Sequence, residues 1–360
     1  MDKKYLKKSY VKEGINLYFI RFILSFFKSS FKPQGKVLIK SCDGIGDILV
    51  RTKLMSLLEK EYGKENISIL MKSEYTKLGE MLGYKTIGYS RDERKKFFPR
   101  LKKMYELNSM GFSKYINLEF TNDITVGNLF IPERVGRADL SWQVERNNKY
   151  YTKSYVIEDD YVMRQVSKMA KEILNKDIKA EELIPDLKNI FGNGEENIVI
   201  AVGSTEKERV CSPLLMAEYL KEIQLKYPNK KIVLVGNGER QSNYAKKILS
   251  ILIGGNIENL VDKTSLKEVF ELVSKSYLFI GFESGLYNFS FVTRKDAIVL
   301  FREKDGLFVH NVPWIKILTP ERVNPQVEDS DYPNEIINSI TVEEFKKALE
   351  EVKHEKELSC

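Results

Sequence analysis

Residues 36–47 read KVLIKSCDGIGD, a short apolar strand that runs directly into a glycine turn. Apolar spacing predicts a helix from Ile48 to Tyr62 after this turn, and a second strand at Ile67–Met71. A strand, a glycine turn, a helix and a further strand form the opening unit of a doubly wound α/β domain with a parallel sheet. This stretch therefore predicts the fold class of the first half of the chain.

The second half of the chain follows the same plan after Pro185. Helical patterns alternate there with short apolar strands, which are predicted at Asn197–Val202, Lys231–Val235, Tyr277–Gly281 and Asp296–Phe301. This alternation indicates a second parallel sheet with helices on its faces. The polar stretch 119–155, by contrast, is expected to be less regular.

We therefore predict an α/β protein with two doubly wound, Rossmann-like domains that face a central cleft. The first domain is predicted at residues 34–185 and the second at residues 186–325, followed by a linker and helix at 326–360. Ligands of such domains bind beyond the carboxyl ends of the strands. The cleft is consequently the expected place for an enzyme to join two substrates.

The composition excludes several classes of function. The net charge of +7 arises from 58 basic and 51 acidic residues, and the excess is concentrated in the first 36 residues. A broad basic face for nucleic acid is therefore not favoured. The three cysteines are widely spaced and the chain has two histidines, which argues against a disulfide framework, a zinc site or histidine-based catalysis. A reducing cytoplasm fits this cysteine usage.

The amino-terminal segment, residues 1–33, is basic and aromatic. Its core, residues 15–27, reads INLYFIRFILSFF, which is shorter than the roughly 20 apolar residues that span a bilayer as a helix. Lysines flank this core and Arg21 interrupts it. The pattern predicts an amphipathic helix on a membrane surface, with its lysines near anionic headgroups. The alternative is a helix that packs on the first domain or on a partner subunit.

The first candidate site is the glycine turn itself. Gly44 and Gly46 allow a substrate to approach the backbone closely. Asp47 stands at the predicted helix start, where it could cap the helix or accept a proton from a hydroxyl group. The residues alone leave both roles open.

The second candidate site, residues 203–209, follows the first strand of the second domain. Ser204 and Thr205 could hold phosphate oxygens, and Lys207 or Arg209 could neutralise their charge. The alternative is a solvated loop.

The third candidate site follows the strand at Tyr277–Gly281. Ser284 and Gly285 are predicted to open a helix, and a helix start favours anions. Glu283 could accept a hydrogen bond from a ribose or sugar hydroxyl, or it could cap the helix.

These sites resemble those of a known family in sequence and in order. The carriers are GIGD at 44–47, GSTEKERVCSP at 203–213, LVGNGE at 234–239, and NLVDKTSLKEVFELVSKSYLFIGFESG at 259–285. They resemble the heptosyltransferase-like bacterial glycosyltransferases (glycosyltransferase family 9), and the resemblance covers roughly residues 36–320.

The resemblance implies a GT-B fold and an inverting reaction that needs no metal and no cofactor. It implies that Asp47 is the general base and that Arg209, with Lys207 as a rival, contacts the donor phosphates. The residues implied to bind the nucleotide or its sugar are Gly236, Thr264, Ser265 and Glu283.

Four positions depart from the family pattern. Cys211 and Ser212 replace a tryptophan–proline pair, Glu283 replaces an aspartate, and Asn288 replaces a histidine.

The predicted function is transfer of a sugar, with heptose as one candidate, from a nucleotide diphosphate donor such as ADP-heptose. The expected acceptor is a lipid-linked saccharide of lipopolysaccharide or surface polysaccharide, at the inner face of the cytoplasmic membrane. Two alternatives remain: a non-catalytic protein that binds a nucleotide sugar or acts as a scaffold, and a sugar-nucleotide epimerase of similar two-domain shape.

Overall fold

The computed structural model describes residues 8–120, 125–138, 145–159, 161–192, 194, 197–252, 254–324 and 331–357. The chain divides into two compact units. The first comprises residues up to Asp159 together with Arg164–Leu183, and the second comprises the short segment ending at Met163 and the residues from Ile184 onward. The division at Leu183 lies two residues before the predicted domain end at 185.

The described residues of the first unit build a six-stranded parallel sheet in the order β3-β2-β1-β4-β5-β6. Its strands are β1 (Lys36–Lys40), β2 (Ile67–Lys72), β3 (Thr86–Tyr89), β4 (Phe112–Asn117), β5 (Glu133–Arg137) and β6 (Lys153–Tyr155). The chain reverses its direction of winding between β1 and β4, and the carboxyl ends of these two strands form the topological switch point of the sheet.

Helices connect these strands and cover the sheet. They are α1 (Lys8–Ser25), α2 (Ile45–Val50), α3 (Thr52–Tyr62), α4 (Thr76–Met81), α5 (Arg91–Lys95), α6 (Phe97–Ser109) and α7 (Val162–Leu174). The single helix predicted at Ile48–Tyr62 is wrong, because two helices meet at Arg51. The Arg51 side chain donates from Nε to the Asp47 carbonyl at 2.6 Å, and the Arg51 backbone N–H bonds instead to Ile48. The side chain thus takes the acceptor that a continuous helix would use.

The polar stretch 119–155 is more regular than predicted, because it contains β5 and β6. Strand β6 is the edge strand of the sheet, where Lys153 and Ser154 are exposed, and β5 lies next to it. An edge strand buries little of its surface, so its sequence need not be apolar.

The described residues of the second unit build another six-stranded parallel sheet, in the order β12-β11-β10-β7-β8-β9. Its strands are β7 (Asn197–Ala201), β8 (Lys231–Val235), β9 (Ile257–Asn259), β10 (Leu278–Phe282), β11 (Ala297–Leu300) and β12 (Ile315–Leu318). Counted along the chain, this is the strand order of the first unit, and its switch point lies between β7 and β10. Two doubly wound parallel sheets confirm the predicted fold class.

The helices of the second unit are α8 (Pro213–Lys226), α9 (Glu239–Ile251), α10 (Leu266–Ser274), α11 (Tyr287–Thr293), α12 (Glu335–Asn338) and α13 (Val342–Glu357). The helix predicted to open at Ser284 and Gly285 begins only at Tyr287 and has seven residues. Residues 283–286 form a bend and a turn, so the predicted helix start at Ser284 is wrong, while phosphate binding by Ser284 and Gly285 stays a prediction. The closing helix α13 packs Phe345 in the core of this unit, where its ring stacks on Tyr219 with centroids 4.2 Å apart.

Helix α1 packs on the first unit along one stripe. Leu17, Ile20 and Leu24 are at most 2% exposed, at the i, i+3, i+7 spacing of one helix face. Arg21 donates to the Gly127 carbonyl at 2.7 Å, and its guanidinium lies 4.7 Å from the centroid of the Phe130 ring. The packing alternative for this segment therefore holds.

The opposite stripe of α1 remains apolar and exposed. Its members, together with the residue that follows the helix, are 51–70% exposed: Ile15, Phe19, Phe22 and Phe26. Among the helices that the structure describes, none is long and apolar enough to cross a bilayer.

Candidate functional site

The glycine turn after β1 places Asp47 at the first turn of α2. Its Oδ2 accepts a hydrogen bond from the Gly44 N–H at 3.0 Å, so the capping role predicted for Asp47 is present. A Cβ atom at Gly44 would lie 3.0 Å from the same oxygen, which favours glycine there. Gly46 is buried within α2.

Asp47 is nevertheless suited to accept a proton. Burial raises the pKa of Asp47 above its ordinary value, and the Asp43 carboxylate adds to the rise, while the Arg51 guanidinium opposes it. A carboxylate with a raised pKa is a stronger base than one with the ordinary pKa. The Asp47 side chain itself is only partly buried. Capping and proton acceptance are therefore compatible in one side chain.

The Arg51 side chain fixes the position of the glycine turn. Its side chain is fully buried, pairs with the Asp43 carboxylate at 2.9 Å, and donates to the Leu118 carbonyl. The Asp43 carboxylate also accepts from the Phe120 N–H at 3.2 Å. These contacts join the loop after β1 to the loop after β4, at the switch point of the first sheet.

A second buried ion pair lies at the carboxyl ends of the same two strands, β1 and β4. Lys40 Nζ is 2.7 Å from Glu119 Oε2, and both side chains are at most 6% exposed. The other oxygen of Glu119 accepts from the Cys42 N–H at 3.0 Å. In the part of the chain that the structure describes, Asp43 and Glu119 have cation partners and Asp47 has none within 4.0 Å.

In the second unit, the structure brings together the loops at residues 203–209 and 283–285. Ser204 Oγ donates to the Glu283 carbonyl at 2.8 Å, and Ser204 is 2% exposed. Thr205 is exposed, and its carbonyl accepts from Arg240 at 3.2 Å. The hydroxyl of Ser204 thus joins the two loops, whereas Thr205 is an exposed residue.

Four charged side chains form a cluster at the carboxyl ends of β7, β10 and β11. Glu283 lies 3.2 Å from Arg209 Nη1 and 3.8 Å from Arg302 Nη2. Glu206 lies 3.0 Å from Arg209 Nε and 3.7 Å from Arg302 Nη2. Burial raises the pKa of Glu283, and both arginines act against that rise. We call Glu206, Arg209, Glu283 and Arg302 the arginine–glutamate cluster.

The structure separates the two rival cations of the 203–209 loop. Arg209 belongs to the arginine–glutamate cluster, whereas Lys207 lines a cavity of about 590 Å³ with Arg240 and Lys246 of α9. Arg209 is therefore the one that lies beside Glu283. Contact of Arg209 or Lys207 with donor phosphates stays a prediction.

Sequence reasoning missed Arg302. The available signal was the position of Arg302 two residues after strand β11. The other candidate loops of this unit likewise follow the carboxyl ends of strands.

The remaining predicted residues hold local structure. Ser265 caps α10 through the Glu268 N–H at 3.3 Å, and Thr264 Oγ1 donates to the Leu260 carbonyl at 3.4 Å. The Gly236 carbonyl accepts from Asp262 at 3.1 Å. Gly285 lies in the turn before α11. Binding roles for these four residues stay predictions.

Comparisons with known proteins agree with this architecture. No protein-family model matches the chain. A curated relative, lipopolysaccharide heptosyltransferase 1 of Campylobacter coli, is 26% identical over 133 residues, which cover 36% of this chain and 38% of the relative. The matched part thus spans less than half of that relative.

Two solved structures share the fold over nearly their whole length. The E. coli ADP-heptose lps heptosyltransferase II has a TM-score of 0.69 at 14% identity, covering 89% of this chain and 99% of that one. The glycosyl transferase family 9 protein of Veillonella parvula has a TM-score of 0.68 at 13% identity, covering 89% and 97%. The chain therefore has the GT-B fold of the heptosyltransferase-like glycosyltransferases, as its sequence motifs predicted.

Proposed function

We propose that the protein is an inverting glycosyltransferase that moves heptose from ADP-heptose to a lipid-linked saccharide during lipopolysaccharide synthesis. One observation carries the proposal: each unit places its chemistry-bearing residues at the switch point of its own sheet. Asp47 follows β1 in the first unit, and the arginine–glutamate cluster follows β7, β10 and β11 in the second. Switch points are where doubly wound sheets bind ligands.

Asp47 is proposed as the general base. The acceptor hydroxyl would give its proton to the Asp47 carboxylate while its oxygen forms a bond to the anomeric carbon of the donor. The bond from that carbon to the diphosphate breaks, and ADP leaves with the electron pair. Attack opposite the leaving group inverts the configuration at the anomeric carbon. The raised pKa of Asp47 and its freedom from an ion pair among the described residues support this assignment.

The loops of the second unit are proposed to bind the donor diphosphate. Arg209 offers a guanidinium fork, which suits phosphate oxygens. The Ser204–Glu283 hydrogen bond joins the loops and so fixes them before the donor arrives. Pre-organised donors of this kind stabilise the charge that develops on a leaving diphosphate.

The exposed stripe of α1 is proposed to hold the protein on the cytoplasmic face of the membrane, where a lipid-linked acceptor would lie. Phe19, Phe22 and Phe26 are 59–70% exposed, and Lys12 and Lys28 beside them are exposed as well. Exposed aromatic rings flanked by lysines favour the interface of an anionic bilayer.

Turnover tests the proposed reaction. Purified protein would be incubated with ADP-heptose, with and without a heptose-deficient lipopolysaccharide core acceptor, and ADP release would be measured together with the anomeric configuration of the product. Acceptor-dependent ADP release with inversion is expected. Donor binding without any turnover would favour the non-catalytic alternative, and a changed sugar nucleotide in the absence of acceptor would favour the epimerase.

Vesicle binding tests the proposed membrane contact. Deleting α1 would strip Leu17, Ile20 and Leu24 from the core, so substitutions on the exposed stripe are the better probe. The double variant F19S/F22S should bind vesicles of phosphatidylethanolamine and phosphatidylglycerol more weakly than the unaltered protein. Phe98→Ser, which removes a 77% exposed ring on α6, serves as the matched control. Equal binding of all three proteins would refute the contact.

A further inference from the structure

Arg302 lies at the proposed donor site without strong partners of its own. Its Nη2 is 3.7 Å from Glu206 and 3.8 Å from Glu283, which is longer than a charge-assisted hydrogen bond of about 2.7–2.9 Å. Its Nε is buried and has no hydrogen-bond partner within the described structure. A buried donor without a partner is costly, so a guanidinium in this state is poised for an acceptor that binds from outside.

The neighbouring strand offers a second unused polar atom. Ser284 Oγ is buried and, in the described part of the chain, has no hydrogen-bond partner. The register pairs Phe282 of β10 with Leu300 of β11, and Ser284 and Arg302 each follow that pair by two residues. Both unsatisfied groups therefore stand at the carboxyl end of the sheet, in the loops that follow two adjacent strands.

The charge of the cluster is balanced before any ligand binds. Two guanidinium groups, on Arg209 and Arg302, face two carboxylates, on Glu206 and Glu283. Glu206 is 51% exposed in its side chain, so it can turn into solvent at little cost. With Glu206 turned away, Arg209, Arg302 and Glu283 carry a net charge of +1, and a diphosphate that takes its place would give Arg302 the acceptor oxygens that it lacks.

We infer that Arg302 is a second cation for the donor diphosphate, next to the 283–285 loop already proposed to bind it, and that Glu206 competes with that diphosphate. This inference rests on the proposed function, since it assumes that a nucleoside diphosphate binds these loops. It explains why Arg302 stays weakly paired: a purely structural arginine would be fixed by short bonds, as Arg51 is in the first unit.

Calorimetric binding of ADP and of adenosine tests the inference. Arg302→Gln should weaken ADP binding about tenfold or more, the value of a charge-assisted hydrogen bond, and should leave adenosine binding unchanged. Arg302→Lys should fall between, because it keeps the charge and loses the fork. Glu206→Gln should tighten ADP binding by about two- to fivefold, the range of an exposed ion pair. Arg322→Gln, an exposed arginine of the same unit, is the matched control.

The outcomes separate the inference from the proposed function. If the unaltered protein binds ADP and Arg302→Gln binds it equally well, the inference is overturned and the proposed function stands. If Arg302→Gln loses ADP and adenosine together, or if its melting temperature falls sharply, the role of Arg302 is structural and the inference is again overturned. If the unaltered protein binds neither ADP nor UDP nor GDP, the proposed function fails and the inference fails with it.

Discussion

Nε2 of His310 lies 3.1 Å from Oδ1 of Asn288, the residue that replaces the family histidine. Asn288 donates through Nδ2 to the Ser284 carbonyl at 3.2 Å, so its oxygen faces His310 and Nε2 is the donor. His310 is fully buried and stacks on Phe291 with ring centroids 3.6 Å apart. A histidine from a distant part of the chain thus supports the 284–286 turn through Asn288.

His310 makes stability depend on pH. Burial lowers the pKa of His310 to about 3, against 6.5 for an exposed histidine. As the pH falls, this histidine therefore binds a proton in the unfolded chain at a higher pH than in the folded one. Its contribution to the free energy of unfolding is fully present above about pH 6.5 and is lost as the pH falls toward 3. At pH 5 the loss from this group should be about 2 kcal/mol.

Urea unfolding at pH 7 and pH 5 measures this loss. His310→Gln should lose less free energy of unfolding between the two pH values than the unaltered protein. His354→Gln, which changes the other histidine of the sequence, is the control. An equal pH dependence in all three proteins would contradict the prediction.

Asp47→Asn should reduce transfer by about 10²–10⁴-fold, because the amide cannot accept the acceptor proton. The amide oxygen can still accept from the Gly44 N–H, so the helix cap and the fold should survive. Initial rates with ADP-heptose and the circular dichroism spectrum of the variant check both expectations. Asp92→Asn, an exposed carboxylate on α5, should transfer normally; undiminished transfer by Asp47→Asn would remove this residue from the mechanism.

The pH profile of transfer should carry the signature of Asp47. Only the ionised carboxylate can accept a proton, so kcat/KM should fall as the pH is lowered through the pKa of Asp47. Because burial raises that pKa, the acidic limb should lie at higher pH than an ordinary aspartate would give. Rates between pH 4 and pH 8 test this, after confirming by circular dichroism that the protein is folded throughout. A rate that is flat down to the ordinary aspartate pKa would speak against a perturbed base.

The buried pair of Lys40 and Glu119 should be sensitive to the loss of one partner. Glu119→Leu should lower the free energy of unfolding by about 3–5 kcal/mol, because it leaves the Lys40 charge buried without its carboxylate. The double variant K40M/E119L should recover part of that loss. Denaturant midpoints of the two variants measure this recovery. A double variant less stable than Glu119→Leu would contradict the predicted cost of the unpaired Lys40 charge.

The amino-acid sequence alone predicts both α/β units. Apolar strands such as KVLIK and KIVLV are short and continuous because both faces of a parallel strand are buried, and this pattern is local and readable. A local signal also placed Asp47 at a helix start. The edge strand β6 escaped detection because it exposes two of its three residues, and β5 escaped because its sequence, ERVGR, is mostly charged.

Which residues contact one another across the chain emerges with the folded arrangement of the strands and helices. Arg302 joins Glu206 and Glu283 although nearly 100 residues separate it from Glu206 along the chain, and no local pattern encodes that encounter. The same holds for His310 against Asn288 and for α1 against the first unit. The order of strands in a sheet sets these neighbours, and that order depends on burial and hydrogen bonding summed over a whole unit, which no short stretch of sequence contains.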